Sequence, residues 1–470
     1  MPMFPMTIAG RATQAADTVE VLNPATGAVL EHAPACSPHQ LDDAMNSAQS
    51  ALREWGSEAS HRRAFLADAA QVLEKNLEDL ASILTAEQGK PLVDARREIS
   101  MARAWLQYYA ELDEPRELVE HAGRAVEILR RPVGVVAAIT PWNFPVSLAM
   151  WKIAPALRAG NTMVLKPSPY TPLTTLAIGQ LFAEILPPGV LNVVSGAENL
   201  GPQLTTHPIP RKVSFTGSTE TGKRVAEAAA SDLKRLTLEL GGNDPAIVLD
   251  DADVGAIAED LFWGAFKNNG QICLAIKRVY TPRSLHDDLV EALRDIASKV
   301  IVGEGTEAGV QLGPVNNKPQ LARVTGMVED ARRQGATVFS GGQKVSATGY
   351  FFPPHIISGI SDGARIVDEE QFGPALPIVS YSNLDDAIAR ANRGMMGLTA
   401  SVWTNDVDAG AGVARQLDCG QVSVNSHGAA VLPQFPFSGH KWSGLGVENG
   451  SDGLREYTEP QVISIPDTDR

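Results

Sequence analysis

From residue 133 onward, short continuous runs of apolar and β-branched residues alternate with stretches of helical period. VGVVAAIT leads into the loop PWNFP and the helix SLAMWKIAPALRAG; TMVLKP, VLNVVSG, KVSFTG and RLTLELG follow, with helices expected at Thr171–Ile185 and Thr219–Ser231. Strands that are apolar throughout, separated by helices, imply parallel sheets covered on both faces. After Gly242 the rhythm restarts with PAIVLD, a helix from Val254 to Lys267, KRVYTP and a helix from Leu285 to Val300, and it continues to about residue 430. Two doubly wound α/β domains are therefore expected to meet near Gly241 and Gly242.

The part before residue 133 reads differently. A strand-turn entry at VEVLNPATGAVL precedes LDDAMNSAQSALREW and RRAFLADAAQVLEKNLEDLASILTAEQG, both with apolar residues at helical spacing. The second should stop at Gly89, with Pro91 just beyond, and the helical region should extend to about Glu114. VEILRRPVG looks like an exposed hairpin arm, and EYTEPQVISIPD like a final strand. Neither an internal repeat nor a low-complexity segment is visible.

Composition narrows the function classes. A chain of 470 residues suggests about three domains. A net charge of −15 argues against nucleic acid or an anionic membrane as the main partner. Cys36, Cys273 and Cys419 are far apart and odd in number, so no disulfide framework is implied, which suits a reducing cytoplasm. The N-terminus lacks the basic and apolar regions of a signal peptide, and no apolar run approaches the roughly 18 residues of a membrane helix. The nine histidines show no metal-ligand spacing, so no metal is expected.

Ligand sites are expected at the carboxyl ends of parallel strands, where PWNFP, KPSPYTP, the end of VVSG, FTGSTETG and LELGG all fall. GSTETGKR nearly matches a P-loop, but Arg224 stands where the Mg²⁺-binding Ser or Thr belongs. A glycine turn opening onto a helix can still hold a dinucleotide pyrophosphate. GLGVENG near the chain end has the wrong spacing for a dinucleotide fingerprint and reads as a structural turn. A lone cysteine is more often buried filler than nucleophile. Cys273, however, follows the polar turn Asn269-Gly270-Gln271, while Glu239 and Asn143 lie at strand ends. A thiol, a carboxylate base and an amide donor are the parts of acyl-thioester chemistry.

In PWNFP, LKPS, FTGSTETGK, LELGG, NGQIC, EEQFGP and PFSGHKWSG, in that order and over nearly the whole length, the chain resembles the NAD(P)-dependent aldehyde dehydrogenase superfamily. The resemblance implies Cys273 as nucleophile, with Asn143 and the Cys273 backbone N–H as oxyanion hole. It implies Glu239 as general base and Lys152 in a proton relay. Lys166 would hold the adenosine ribose and Ser218 the pyrophosphate; Glu370 would hold the nicotinamide ribose, with Phe372 beside the ring. Ile139, Thr140, Trp142, Ser168, Pro169, Gly217 and Leu240 complete the expected cofactor site, and the expected cofactor is NAD, with NADP possible. The aldehyde tunnel is expected among Phe144, Leu148, Trp151, Ile272, Leu274 and Phe437. The implied division is a dinucleotide-binding domain (1–116 and 136–241), a catalytic domain (242–441), and an oligomerisation arm and tail (117–135 and 442–470). The arm near Val126–Arg131 and the tail near Gln461–Ile465 should pair with another subunit, giving a homodimer or homotetramer.

Three positions depart from the family's commonest pattern. Pro169 replaces a frequent glutamate on the adenosine ribose, Asn243 a lysine and Val447 an arginine. The rival readings are a coenzyme-A-acylating semialdehyde dehydrogenase, against which Glu239 speaks, and a non-catalytic NAD-binding protein of the same fold. The apolar tunnel residues favour medium-chain aliphatic or aromatic aldehydes over a carboxylated semialdehyde, which needs a buried cation such as Arg97 or Arg103 could supply at the mouth.

Overall fold

The structure, a computed structural model, describes residues 4–57, 59–113, 117–121, 124–342 and 348–466. The expected end of the first helical region at Glu114, and the chain ends 1–3 and 467–470, lie outside the described residues.

Two large sheets carry the molecule. In the first, eight strands lie in the order Arg11–Thr13, Met6–Ile8, Leu191–Val193, Thr162–Lys166, Val135–Ile139, Lys212–Thr216, Arg235–Glu239 and Gly444–Leu445. The inner five are parallel. Every residue of Val135–Ile139, Thr162–Lys166 and Lys212–Thr216 is buried, which is why these segments read as unbroken apolar runs. The chain builds outward from Val135–Ile139 in one direction and then returns to build Lys212–Thr216 and Arg235–Glu239 on the other side. That reversal opens a crevice at the carboxyl ends of these strands, between PWNFP and FTGS.

The second sheet has seven strands, in the order Thr337–Ser340, His355–Ser358, Ala375–Tyr381, Ile276–Pro282, Asp244–Val248, Thr399–Trp403 and Gln421–Val424. Neighbouring residues of one strand enter different cores. Ile247, Tyr280, Val379 and Val402 pack on one face, and Ala246, Val248, Val279, Ile378 and Trp403 on the other. This sheet meets the site at its amino edge: Gly242, Cys273 and Phe372 all precede strands of it.

One expectation changes: the long second helical stretch divides at Asn76 into Ala59–Lys75 and Leu77–Gln88 before ending, as its sequence implies, at a left-handed Gly89 (φ 99°). Within the chain the arm and tail pair with each other: Arg124–Pro132 lies antiparallel to Thr458–Pro466 from Pro132↔Thr458 to Arg124↔Pro466. Glu117–His121 completes this three-stranded sheet. Nine consecutive register pairs satisfy one side of the tail strand and leave its other edge open. Among the described residues no helix is long and apolar enough to cross a membrane.

Candidate active site

The NNGQ turn shows why its residues are polar and small. After the helix Val254–Phe266 the chain passes through three left-handed residues, Asn268 (φ 50°), Asn269 (φ 56°) and Gly270 (φ 67°). Asparagine tolerates that conformation, and glycine adopts it without strain. A Cβ on Gly270 would lie 2.5 Å from the Gly373 carbonyl, so no other residue fits. Gln271 is buried and staples the turn: its Oε1 accepts from Asn316 N (2.9 Å) and its Nε2 donates to Asn268 O (2.8 Å). Cys273 emerges from this turn.

Asn143 meets it from the first sheet. Its Nδ2 donates to Gln271 O at 2.9 Å, while its Oδ1 is buried without a partner. An amide nitrogen has a second hydrogen to offer. The Asn143 carbonyl accepts from Lys90 Nζ (2.9 Å), and Lys90 is in turn ion-paired with Glu98 in full burial. Glu98 Oε1 also receives Val146 N (2.9 Å) and Ser147 N (3.2 Å), capping the helix Pro145–Arg158, which has no side-chain cap of its own. A buried ion pair thus anchors both the PWNFP loop and the helix after it.

Cys273 and Asn143 stand where two cavities meet. One, of about 390 Å³, is lined by Trp142, Gly217, Ser218, Leu240, Glu370 and Phe372 among others. It adjoins a further cavity of about 650 Å³ whose walls include Ile139, Thr140, Lys166, Ser168, Pro169 and Glu198. All eleven expected cofactor residues line one or other of these. Trp142 and Phe372 face each other edge-on with ring centroids 5.3 Å apart. The glycines of LELGG allow two close approaches: a Cβ on Gly241 would lie 2.5 Å from Glu370 Oε2, and one on Gly242 2.6 Å from the Cys273 carbonyl. Glu370 Oε1 accepts from Gly242 N at 3.0 Å. Ser218 caps the helix Thr219–Ala230 by accepting from Thr221 N. The buried hydroxyls of Thr140 and Thr216, without hydrogen-bond partners, also belong to these walls, so the residues present suit a polar dinucleotide.

The other cavity, of about 340 Å³, opens on the far side of Cys273. Phe144, Leu148, Trp151, Ile272 and Leu274 line it, with Met101 and Val431 added. Phe437 does not: it sits behind Trp151 (5.3 Å between centroids), while Trp105 stacks on Trp151 at 5.2 Å. Arg97 reaches the lining but is ion-paired with Asp94, and Arg103 is absent from it, paired with Glu74. Lys267, exposed, also borders it.

Burial pushes the Cys273 thiol up to about 12; Lys277 opposes this, and Asp244, Glu239 and Glu370 add to it. Glu239 is buried with both carboxylate oxygens unpartnered. Burial holds its carboxyl well above the usual range, Glu448 adds to this, and Lys152 works against it. Lys152 Nζ contacts Glu448 Oε1 at 2.6 Å and donates to Ser214 Oγ at 3.2 Å. Glu448 belongs to GLGVENG, read from sequence only as a turn. Its lone acidic side chain there was the available signal. Asn243 and Val447 stay away from the chemistry in different ways: Asn243 Nδ2 donates to Val367 O, and Val447 is in neither cavity wall. Among the described residues no cluster of His, Cys, Asp or Glu could hold a metal ion.

The chain belongs to the aldehyde dehydrogenase family, whose sequence model matches residues 11–463. It is 38% identical over 466 residues to an aldehyde dehydrogenase of a Fusarium species, covering 98% of each chain. It is 37% identical to the NADP(+) succinate-semialdehyde dehydrogenase of Escherichia coli, covering 96% of this chain and 94% of that one. Among solved structures, betaine aldehyde dehydrogenase from Staphylococcus aureus in complex with NAD+ superposes with a TM-score of 0.95 at 32% identity, covering 99% and 95% of the two chains. The protein is an NAD(P)-dependent aldehyde dehydrogenase.

Proposed function

We propose that the chain oxidises medium-chain aliphatic or aromatic aldehydes to carboxylic acids through a thioester on Cys273. The observation that carries this reading is the position of Cys273 between a polar, glycine-walled cavity and an apolar, aromatic one. The Cys273 thiolate attacks the aldehyde carbonyl, and the Asn143 amide with the Cys273 backbone N–H receives the oxyanion. Collapse of that oxyanion expels hydride from the carbonyl carbon and leaves the thioester; Lys166, Ser218 and Glu370 would hold the NAD(P)⁺ that supplies the hydride acceptor. Glu239 then takes a proton from water, which opens the thioester, and the acid leaves.

The wall of Phe144, Leu148, Trp151, Ile272, Leu274 and Val431 supports an apolar substrate body, at about 25 cal/mol for each Å² removed from water. A carboxylated substrate would need a cation inside; Lys90 is held by Glu98, Arg97 by Asp94, and Lys267 borders the cavity from an exposed position, in water rather than inside. The relative named for succinic semialdehyde makes that aldehyde the natural competitor. On the cofactor side, Pro169 offers no carboxylate to the adenosine ribose, but Glu198 borders the same cavity and faces Lys166. A carboxylate there disfavours a 2′-phosphate, so NAD⁺ is the better cofactor, with measurable use of NADP⁺.

The test is a panel of aldehydes assayed with both cofactors. Hexanal or benzaldehyde with NAD⁺ should give the highest kcat/KM. A tenfold lead for succinic semialdehyde, about 1.4 kcal/mol of transition-state preference, would overturn the substrate reading, and a strong NADP⁺ preference the cofactor reading.

A further inference from the structure

The turn that carries the nucleophile, Ile272 to Ala275, lies outside every helix and strand. Its four carbonyls are held by side chains, three of them by Lys277 and the fourth by His427 and the Thr399 hydroxyl. Lys277 Nζ donates to Ile272 O (2.6 Å), Cys273 O (3.2 Å) and Ala275 O (3.2 Å). His427 Nε2 lies 2.5 Å from Leu274 O, its Nδ1 3.0 Å from Ser401 Oγ. An ammonium has three donors, and Lys277 directs all three at this one turn.

Lys277 is 2% exposed, and among the described residues no carboxylate lies within ion-pairing distance of it. A buried cation without a paired anion is costly, and three carbonyl dipoles offset only part of that cost. Its charge acts on the groups around it, lowering Cys273, Asp244 and Glu370 alike. The titratable groups facing the Cys273 thiol are Glu239 at the end of a first-sheet strand, Asp244 at the start of a second-sheet strand, Glu370 of the EEQFGP loop, and Lys277 itself. Lys277 alone among them is cationic. His427, also near, is half-buried and held down to about 4, first by desolvation, so it is neutral at working pH. Lys277 is locked from behind as well, since Gln371 Nε2 donates to its carbonyl at 2.8 Å. Phe372 lies beside its ammonium, with the ring centroid 5.8 Å away.

We propose that Lys277 is a positioning residue for the nucleophile: it fixes the carbonyls of the turn and supplies the fixed positive charge that favours Cys273 as thiolate. Among the charged groups that act on this half-buried thiol, Lys277 is the cation that draws its proton off. The inference rests on Cys273 being the nucleophile.

The experiment is iodoacetamide alkylation of the full-length protein without cofactor, followed at Cys273 by peptide mass spectrometry from pH 6 to pH 10. In Lys277→Met the rising limb of log rate against pH should move up by about one unit, so that alkylation is about tenfold slower at a given pH below the midpoint. Lys277→Gln keeps a donor for the carbonyls without the charge; it should move the limb the same way and carries the test if the Met variant does not fold. A lysine that merely braced the turn would give the opposite sign, because a loosened turn exposes the thiol and speeds alkylation. A limb that coincides with the wild type, or lies above it in rate, overturns the proposal. Failure of the underlying reading is separate: Cys273→Ala retaining turnover would remove the nucleophile, whatever Lys277 does.

Discussion

At the scale of single residues, the proposed hydrolysis of the thioester turns on the carboxyl of Glu239. It is buried beside Glu448 and Lys152 and held well above the usual carboxylate range, first by burial. A carboxyl held up in this way ionises at higher pH than an ordinary glutamate, so hydrolysis should accelerate as pH rises through its elevated pKa. Glu239→Gln should still acylate and release a burst of about one NADH per site, then stall, with steady-state turnover down by about 10²–10⁴-fold. Stopped-flow absorbance reads both phases, and unaltered steady-state turnover would remove Glu239 from the mechanism. Glu239, Cys273 and Asn143 were legible because each ends a strand or a polar turn whose residue types have no packing use there. Glu448 was not, since its meaning comes from Lys152, 296 positions away. Lys277 escaped for the same reason: a lysine in KRVYTP looks like any surface lysine until the strand turns it back under the preceding four residues.

Helices and strands were legible where burial is uniform along them and illegible where a distant side chain completes them. The parallel strands announced themselves because both faces are covered. By contrast, MTIAGRAT is too short to stand out, and it became two strands only by pairing with the sheet edge at Thr7↔Val193. The helices Pro145–Arg158 and Leu173–Ala183 have no cap in their own sequence and borrow carboxylates from elsewhere. For the second of these, Glu87 receives Leu173 N (2.7 Å), Thr174 N (2.9 Å) and the Thr174 hydroxyl. Burial nonetheless raises the Glu87 carboxyl from 4.5 to about 7. The folded protein then holds this proton more tightly than the unfolded chain. Its contribution to stability is therefore greatest below pH 4.5, falls as pH rises to about 7, and is constant beyond. The full span is on the order of 3 kcal/mol. In urea denaturation, the stability of wild type relative to Glu87→Gln should decline from pH 5 to pH 7.5; a difference independent of pH would show that Glu87 does not titrate in this window.

At the scale of the whole molecule, the small antiparallel sheet is the part least able to stand by itself. Its tail strand Thr458–Pro466 is paired along one edge only, and six of its nine residues are exposed. Val462 is 64% and Ile465 51% exposed, and Leu118 on the opposite edge strand is 65% exposed. The sequence showed an arm and a tail strand but could not show that they would pair with each other. Pairing depends on where the first sheet returns the chain, through Gly444–Leu445, to the end of the molecule where the arm begins. With the internal pairing satisfied, what is left over is an open strand edge with apolar side chains, which natural proteins cover or blunt, and this one carries no proline between Gln461 and Ile465. A second copy of the chain is the partner that makes such an edge harmless, and a self-matching contact favours closed symmetry. The protein should therefore sediment as a homodimer or homotetramer at micromolar concentration. Val462→Asp with Ile465→Asp, which places charge on that edge without touching the catalytic turn, should lower the sedimenting mass while Cys273 keeps its alkylation rate. A wild-type chain that sediments as a monomer would overturn this, as would a double variant with unchanged mass.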